Sequence, residues 1–366
     1  MNWYQIKNID SVDAPALVVY EKRIKQNIQL AIQMVDDVSC LRPHVKTNKT
    51  AEVCRLMLEA GVTKFKCATI AEAEMLALIN APDVLLAYQP VGPKIKRLFQ
   101  LVQKFPATKF SCLVDDATIA ESINAVFEAA DLTAGVFIDL NTGMNRTGIE
   151  PAAVEALANI ILQQSNLQLK GLHAYDGHVT HTDILIRQQN ADAAFEKVLL
   201  VADQIKSHLS TPLIFVVGGS PSFPVHAKRE NVECSPGTFV FWDWGYSTNF
   251  RDETFVCAAV LVTRVISIID DCTFCLDLGH KSVAAENPQP RVHFLNATGL
   301  TIIGQSEEHM VVKYAEPHTV KVGDVFYTIP WHICPTVALY DKMQVAHQQV
   351  ITATWKVVAR DRSINI

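Results

Sequence analysis

The stretch Leu41-Arg42-Pro43-His44-Val45-Lys46-Thr47-Asn48-Lys49 gathers ionisable groups in a strand-like run that ends in a lysine, just before helical spacing resumes at Thr50. Strand alternation puts Arg42, His44 and Lys46 on one side and Leu41, Pro43 and Val45 on the other. A lysine at a strand's carboxyl end, walled in and flanked by positive charge, holds its proton less firmly and becomes a usable amine nucleophile. Such an amine can form a Schiff base with a carbonyl compound or with pyridoxal phosphate. A basic strand end on a solvated loop is the competing reading of the same residues.

Other stretches carry related chemistry. Val217-Gly218-Gly219-Ser220-Pro221-Ser222 pairs adjacent glycines with two serines, so backbone N–H groups and hydroxyls can approach a phosphate dianion closely. The loop from Asp139 to Gly148 offers the Arg146 guanidinium, suited to a phenolate oxygen or a ring, or else to a helix-capping turn with an exposed arginine. Gly171 to His181 holds His173, Tyr175, His178 and His181, an unusual density for a solvated loop. Late in the chain, Trp331-His332-Ile333-Cys334 carries a His-x-Cys pair. If this run is extended, imidazole and thiolate share a face and can grip one divalent ion, with positions left open for water and substrate. Zn²⁺ suits a nitrogen and sulfur pair, whereas Mn²⁺ or Mg²⁺ prefers oxygen.

These residues need a scaffold, and the hydrophobic pattern supplies one. After a first β-type run at Ala16 to Tyr20, eight strand candidates follow: Cys40 to Val45, Lys64 to Ala68, Val84 to Ala87, Lys109 to Val114, Ala134 to Leu140, Leu167 to Ala174, Leu213 to Gly218 and Asn231 to Cys234. Amphipathic helical spacing lies between them, with Asp115 and Glu150-Pro151 where caps and first-turn prolines belong. This alternation predicts a (β/α)8 TIM-type barrel over 15–248, with a doubly wound sheet as the alternative. Short β runs then replace helices, predicting a mainly antiparallel β domain over 249–366 to which 1–14 pairs. In such barrels the active site lies at the carboxyl ends of the strands, and phosphate is commonly held after strands seven and eight. The count places Lys46 after strand one and the Gly-Gly-Ser turn after strand seven.

Bulk properties narrow the class. The chain of 366 residues carries a net charge of −6 with scattered lysines and arginines, which argues against nucleic-acid and anionic-membrane partners. No apolar run approaches a membrane span, and Met1 to Asp13 contains no signal-like segment, so a cytoplasmic location is expected. The nine dispersed cysteines read as reduced thiols.

With Arg42-Pro43-His44-Val45-Lys46-Thr47, the Asp139 to Gly148 loop, Gly218-Gly219-Ser220 and His332-x-Cys334 together, the chain resembles the D-threonine aldolase and D-serine dehydratase-like family. This is a branch of the fold-type III pyridoxal phosphate enzymes that includes alanine racemase. The resemblance implies a barrel, a C-terminal β domain and a head-to-tail homodimer. It also implies that Lys46 bears the cofactor, that Gly218, Gly219 and Ser220 hold its phosphate, and that Arg146 lies near its phenolic oxygen. Tyr175 would lie near the ring nitrogen, with His44 also at the cofactor. His332 and Cys334 would bind a divalent metal. Two departures stand out: Asn48, where the family often has histidine, and Phe239, where tyrosine is expected.

The activity implied is a lyase on D-3-hydroxy amino acids, cleaving them to glycine and an aldehyde. A D-serine dehydratase releasing pyruvate and ammonia is the alternative. An amino-acid racemase and a non-catalytic pyridoxal phosphate carrier are further readings; racemization needs a second base opposite Lys46, and the sequence offers none.

Overall fold

The computed structural model describes residues 2–209 and 211–366. It contains two compact units, one of which holds 31–46, 54–237 and 361–366 and the other residues up to 30, 47–53 and 238–360. The first strand, β1 (Ala16–Tyr20), belongs to the second of these.

The first unit is built on seven parallel strands: β2 (Lys64–Cys67), β3 (Asp83–Leu86), β4 (Lys109–Val114), β5 (Ala134–Asp139), β6 (Leu167–Ala174), β7 (Ile214–Val217) and β8 (Val232–Cys234). They lie side by side in chain order. Helices such as Ile70–Leu78, Pro93–Lys104, Ala117–Glu128 and Ile184–Ile205 connect them. Strands covered on both faces should be nearly continuous in apolar burial, and β3 to β5 are. Leu85, Leu113, Phe137 and Val216, one each from β3, β4, β5 and β7, pack into a single cluster.

The eighth position corrects the expectation of a strand over 40–45. Residues 41–45 touch both sheet edges through isolated bridges, Leu41 with Cys234 and His44 with Lys66. Backbone bonds from Arg42 N to Cys234 O and from Val45 N to Lys66 O, each 2.9 Å, close the ring. A regular ladder does not form because Pro43 has no N–H to give; its carbonyl accepts from Lys66 N at 2.9 Å. The barrel is therefore TIM-like, with a bridging segment in place of one strand.

Arg42, on the inward side of that segment, is 1% exposed and does not reach the strand ends where chemistry was expected. Its guanidinium bonds Glu233 of β8 at 2.5 Å and Asp83 of β3 at 2.6 Å. Replacing it by methionine leaves the buried Glu233 Oε2 without a partner, though Lys64 Nζ still holds Oε1 at 2.5 Å, so Arg42→Met should cost about 3 kcal/mol in denaturant unfolding, with part regained in Arg42→Met/Glu233→Gln. An unchanged midpoint would show that the ion pair is dispensable.

Glu150 and Pro151 stand at the cap and first turn of Pro151–Ala153 as expected, but the other cap differs by one residue. Asp116, not Asp115, caps Ala117–Glu128, accepting from Ile119 N. Asp115 is thereby free to accept from Gly148 N at 3.0 Å, tying down the loop after β5.

The second unit is a mainly antiparallel sheet. Its strands are β1, β9 (Ala259–Ile268), β10 (Thr273–Leu276), β11 (Val292–Phe294), β12 (Thr301–Gln305), β13 (Met310–Lys313), β14 (Val325–Pro330), β15 (Lys342–His347) and β16 (Val350–Lys356). The order is β12-β13-β10-β9-β1-β15-β16, with β14 on β9 and β11 on β14. Only the β1–β15 pair is parallel among the described residues. No described helix is long and apolar enough to cross a membrane.

Candidate active site

A cavity of about 470 Å³ opens in the barrel unit, walled by His44, Lys46, Tyr88, Asp115, Asp139 and Arg146. Its residues come from the closing segment and from the loops after β3, β4 and β5, the carboxyl ends of the strands. Lys46 is held there locally, its N–H donating to His44 Nδ1 at 3.3 Å. The loop bearing Arg146 is shaped by Asn141, whose Oδ1 accepts from Gly143 N and Asn145 N at 3.1 Å each. Its Nδ2 donates to Glu150 Oε1 at 2.7 Å.

Tyr175 forms the centre of the cationic cluster. Arg146 Cζ lies 4.8 Å from its ring centroid, Lys46 Nζ 5.6 Å and Lys66 Nζ 5.9 Å. The ring also explains Gly219: a Cβ added there would sit 3.0 Å from Tyr175 Cε2. Gly218 has φ +74°, and a Cβ on it would meet His226 Cδ2 at 2.7 Å. Turn and aromatic ring thus approach each other as only glycine allows.

The amides of this turn are already engaged. Gly218 N donates to Ala174 O at 3.1 Å and Gly219 N to Ser222 Oγ at 3.2 Å. Ser220, 5% exposed, accepts from Gly237 N at 3.1 Å. Ser222 in turn donates to Asp176 Oδ1 at 2.8 Å, and Asp176 Oδ2 meets His226 Nε2 at 2.8 Å. A phosphate seated here competes with Ser222 for the Gly219 amide. Ser222 stands in the motif itself, but Asp176 and His226, which brace it, escape a reading of linear motifs because they lie 50 positions apart.

A second group passes unnoticed in the sequence. Lys66, mid-strand in β2 and 2% exposed, places Nζ 3.3 Å from His173 Nε2. His173 and Asp139 are register partners on β6 and β5, so their side chains share a face, and Nδ1 lies 2.7 Å from Asp139 Oδ1. Burial pushes the Lys66 amine down to about 7, helped by the charge of Lys46 and opposed by Asp139 and Asp176. The His173 imidazole is also lowered, by burial first and then by Lys66. Burial alone would raise the Asp139 carboxyl, yet His173, Thr147 and Lys66 together hold it below its usual range. The signal in the sequence was a lysine in the interior of a parallel strand, where apolar residues belong.

In the β unit the run 331–336 is not extended. His332 caps a short helix, Ile333–Val337, that contains Cys334, so alternation does not explain how the pair meets. Asp243 accepts from Ile333 N at 3.0 Å and anchors the turn. Imidazole and thiol still interact, each favouring the other's charged form. Burial opposes the charged ring, but the Cys334 contact, Asp243 and Glu286 push His332 up to about 9. Burial likewise opposes the Cys334 thiolate, but His332, Thr238 and Thr47 hold the thiol below its ordinary range. His332 Nδ1 lies 2.6 Å from Glu286 Oε1, a carboxylate–imidazole contact that fixes the ring and leaves the other nitrogen to act as a donor. Among the described residues no group of three or more His, Cys, Asp and Glu side chains gathers as a metal site.

Asn48 and Phe239, the two departures, do structural work. Asn48 is 1% exposed with Oδ1 accepting from Thr50 N at 3.0 Å, and Phe239 packs on Phe255 with centroids 5.7 Å apart.

Comparison with known proteins bears on the family and the fold. The family model described as alanine racemase, N-terminal domain, matches residues 19–243, and a serine dehydratase domain model matches 258–346. A D-threonine aldolase of Arthrobacter sp is 28% identical over 95% of this chain and 93% of its own length. A D-threo-3-hydroxyaspartate dehydratase of Delftia sp. (strain HT23) is 23% identical over 94% and 97%. The crystal structure of D-threonine aldolase from Filomicrobium marinum superposes with a TM-score of 0.88 at 24% identity, covering 98% of each chain.

Proposed function

The chain belongs to the alanine racemase N-terminal domain family, and from that premise we propose that it is a lyase dependent on pyridoxal phosphate and a divalent metal ion. Its substrates are D-3-hydroxy amino acids, cleaved to glycine and an aldehyde. The reading rests chiefly on Lys46 and Arg146 meeting at one cavity, both over the Tyr175 ring that packs against the glycine turn. The aldolase and dehydratase names of the relatives accord with it.

The residues present fit the cofactor. Lys46 offers an amine on the cavity wall and Arg146 a guanidinium for the phenolic oxygen, and Gly218, Gly219 and Ser220 would hold the phosphate, the Gly219 amide being released by Ser222. The amine lies 5.6 Å from the Tyr175 ring centroid, and His44 accepts from the Lys46 backbone N–H. When bound, pyridoxal phosphate supplies a sink for the electron pair left at Cα as one of its bonds breaks. The chain's contribution is to choose the bond. Lys46 and Arg146 orient the amino acid, and the Lys46 amine can hold or return a proton at Cα. His332 and Cys334, with Glu286 orienting the imidazole, fit a divalent ion, Zn²⁺ ahead of Mn²⁺ or Mg²⁺ by their nitrogen and sulfur chemistry. Such an ion supplies a Lewis acid for a hydroxyl oxygen. We further read the protein as a cytoplasmic homodimer.

Dehydration of D-serine to pyruvate and ammonia is the second reading, favoured by the serine dehydratase match over the His332 and Cys334 region. Incubating the loaded protein with D-threonine and with D-serine decides between them. Glycine and acetaldehyde from D-threonine are expected; pyruvate from D-serine as the dominant product would establish dehydration. Accumulation of L-isomers in place of either would refute a lyase.

A further inference from the structure

Lys66 is the buried ionisable group to which the proposed chemistry gives no role. It stands in register with Leu85, a member of the aliphatic cluster with Leu113, Phe137 and Val216. An ammonium in such surroundings is costly, and packing alone would favour an aliphatic side chain. The charged and titratable groups facing it are Lys46 and Arg42 from the closing segment, Asp139 from β5, His173 from β6, and Asp176 and the Tyr175 ring after β6. Arg146 acts on His173. Lys46 and Arg42 favour loss of the Lys66 proton, and the two carboxylates favour its retention.

The hydrogen bonds define a direction. Asp139 is held in its ionised form, so the neutral His173 ring donates Nδ1–H to it and presents the Nε2 lone pair to Lys66. A proton arriving on Lys66 is therefore held by a hydrogen bond to Nε2, with Asp139 fixing the ring's orientation. Asp139 and Lys46 both line the cavity, whereas Lys66 lies behind its wall.

We propose that Lys66, His173 and Asp139 form a buried proton store serving Lys46, which takes up the proton an incoming amino acid's ammonium must release to become a nucleophilic amine. The step is a proton transfer only, relayed by the Lys46 nitrogen: the substrate ammonium becomes an amine as the Lys66 amine becomes an ammonium, and the reverse transfer accompanies product release. Lys66 acts through Lys46 and is a positioning residue. The inference rests on Lys46 being the cofactor-bearing amine.

The test uses the pyridoxal phosphate-loaded protein, with the pH dependence of kcat/KM for D-threonine and of the bound cofactor's absorbance as readouts. The wild type should gain activity as pH rises through about 7, where Lys66 sheds its proton. In Lys66→Met that limb should move by at least one pH unit, and kcat/KM at pH 8 should fall roughly tenfold to a hundredfold. Lys66→Arg, charged at every accessible pH, should bind cofactor yet fail to restore the limb; a structural lysine would be rescued. If Lys66→Met does not fold, His173→Gln breaks the next link and should displace the same limb. Cofactor on Lys46 with rate and absorbance profiles identical in wild type, Lys66→Arg and His173→Gln would overturn the store alone. Borohydride reduction and peptide mapping that locate the cofactor on another lysine, or find none bound, would overturn the Lys46 assignment and the store with it.

Discussion

Lys46→Ala should abolish the absorbance band of the lysine-bound cofactor and lower turnover of D-threonine by roughly 10⁴-fold or more, because it deletes the amine nucleophile and a proton carrier at once. The fold should survive. The contact that seats this residue is a backbone one, from Lys46 N to His44 Nδ1, and alanine keeps it. The barrel closes through the Leu41 and His44 bridges and the Arg42 ion pairs, none of which uses the Lys46 side chain. Lys66 remains 5.9 Å from the Tyr175 centroid in the variant's scaffold, so residual cofactor capture there is the outcome to examine by peptide mapping. A Lys46→Ala protein that keeps the band at position 46's expected stoichiometry, with turnover within tenfold of wild type, would sink the assignment.

Stripping divalent metal with a chelator should lower lyase turnover by roughly a hundredfold or more while leaving the cofactor's absorbance in place, since a Lewis acid contributes several kcal/mol to stabilising a developing oxyanion. Zn²⁺ should restore activity best, given one imidazole and one thiolate as donors. His332→Ala and Cys334→Ala should mimic the chelated protein and resist rescue. Glu286→Gln should weaken metal affinity by about 10–100-fold, because the imidazole loses the carboxylate 2.6 Å from Nδ1 that orients it. Full turnover in a protein shown by elemental analysis to hold no divalent ion would refute the metal requirement. The two experiments are independent: the first reports on the barrel unit, the second on the helix cap in the β unit.

The loop after β5 illustrates how local rules and tertiary demands divide the work. Asp115 and Asp116 are equal candidates for a cap by residue type. The structure uses Asp116 for the helix and Asp115 for Gly148, and thereby sets where Arg146 stands. The His332 region shows the converse. Residue types pointed to a paired imidazole and thiol, but the assumed extended backbone was wrong, because Ile333–Val337 turns into a helix under the Asp243 anchor.

What the chain's linear order determines is the succession of elements. Period-two and helical patterns alternate from residue 64 to 234, so seven parallel strands in chain order follow, and the Gly218-Gly219-Ser220 turn must fall after β7. Local periodicity is enough for that, since each helix and strand is specified by neighbours a few residues away. Tertiary structure alone decides what meets inside the barrel. Lys66 and His173 are 107 positions apart and become neighbours only when the five strands β2 to β6 curl far enough to bring β2 opposite β6. Asp139 reaches His173 through strand register, and Arg42 reaches Glu233 across the closure. Burial, too, exists only in the folded ring. An amine in β2 is an ordinary lysine in the chain and a depressed base in the barrel because water has been removed from around it.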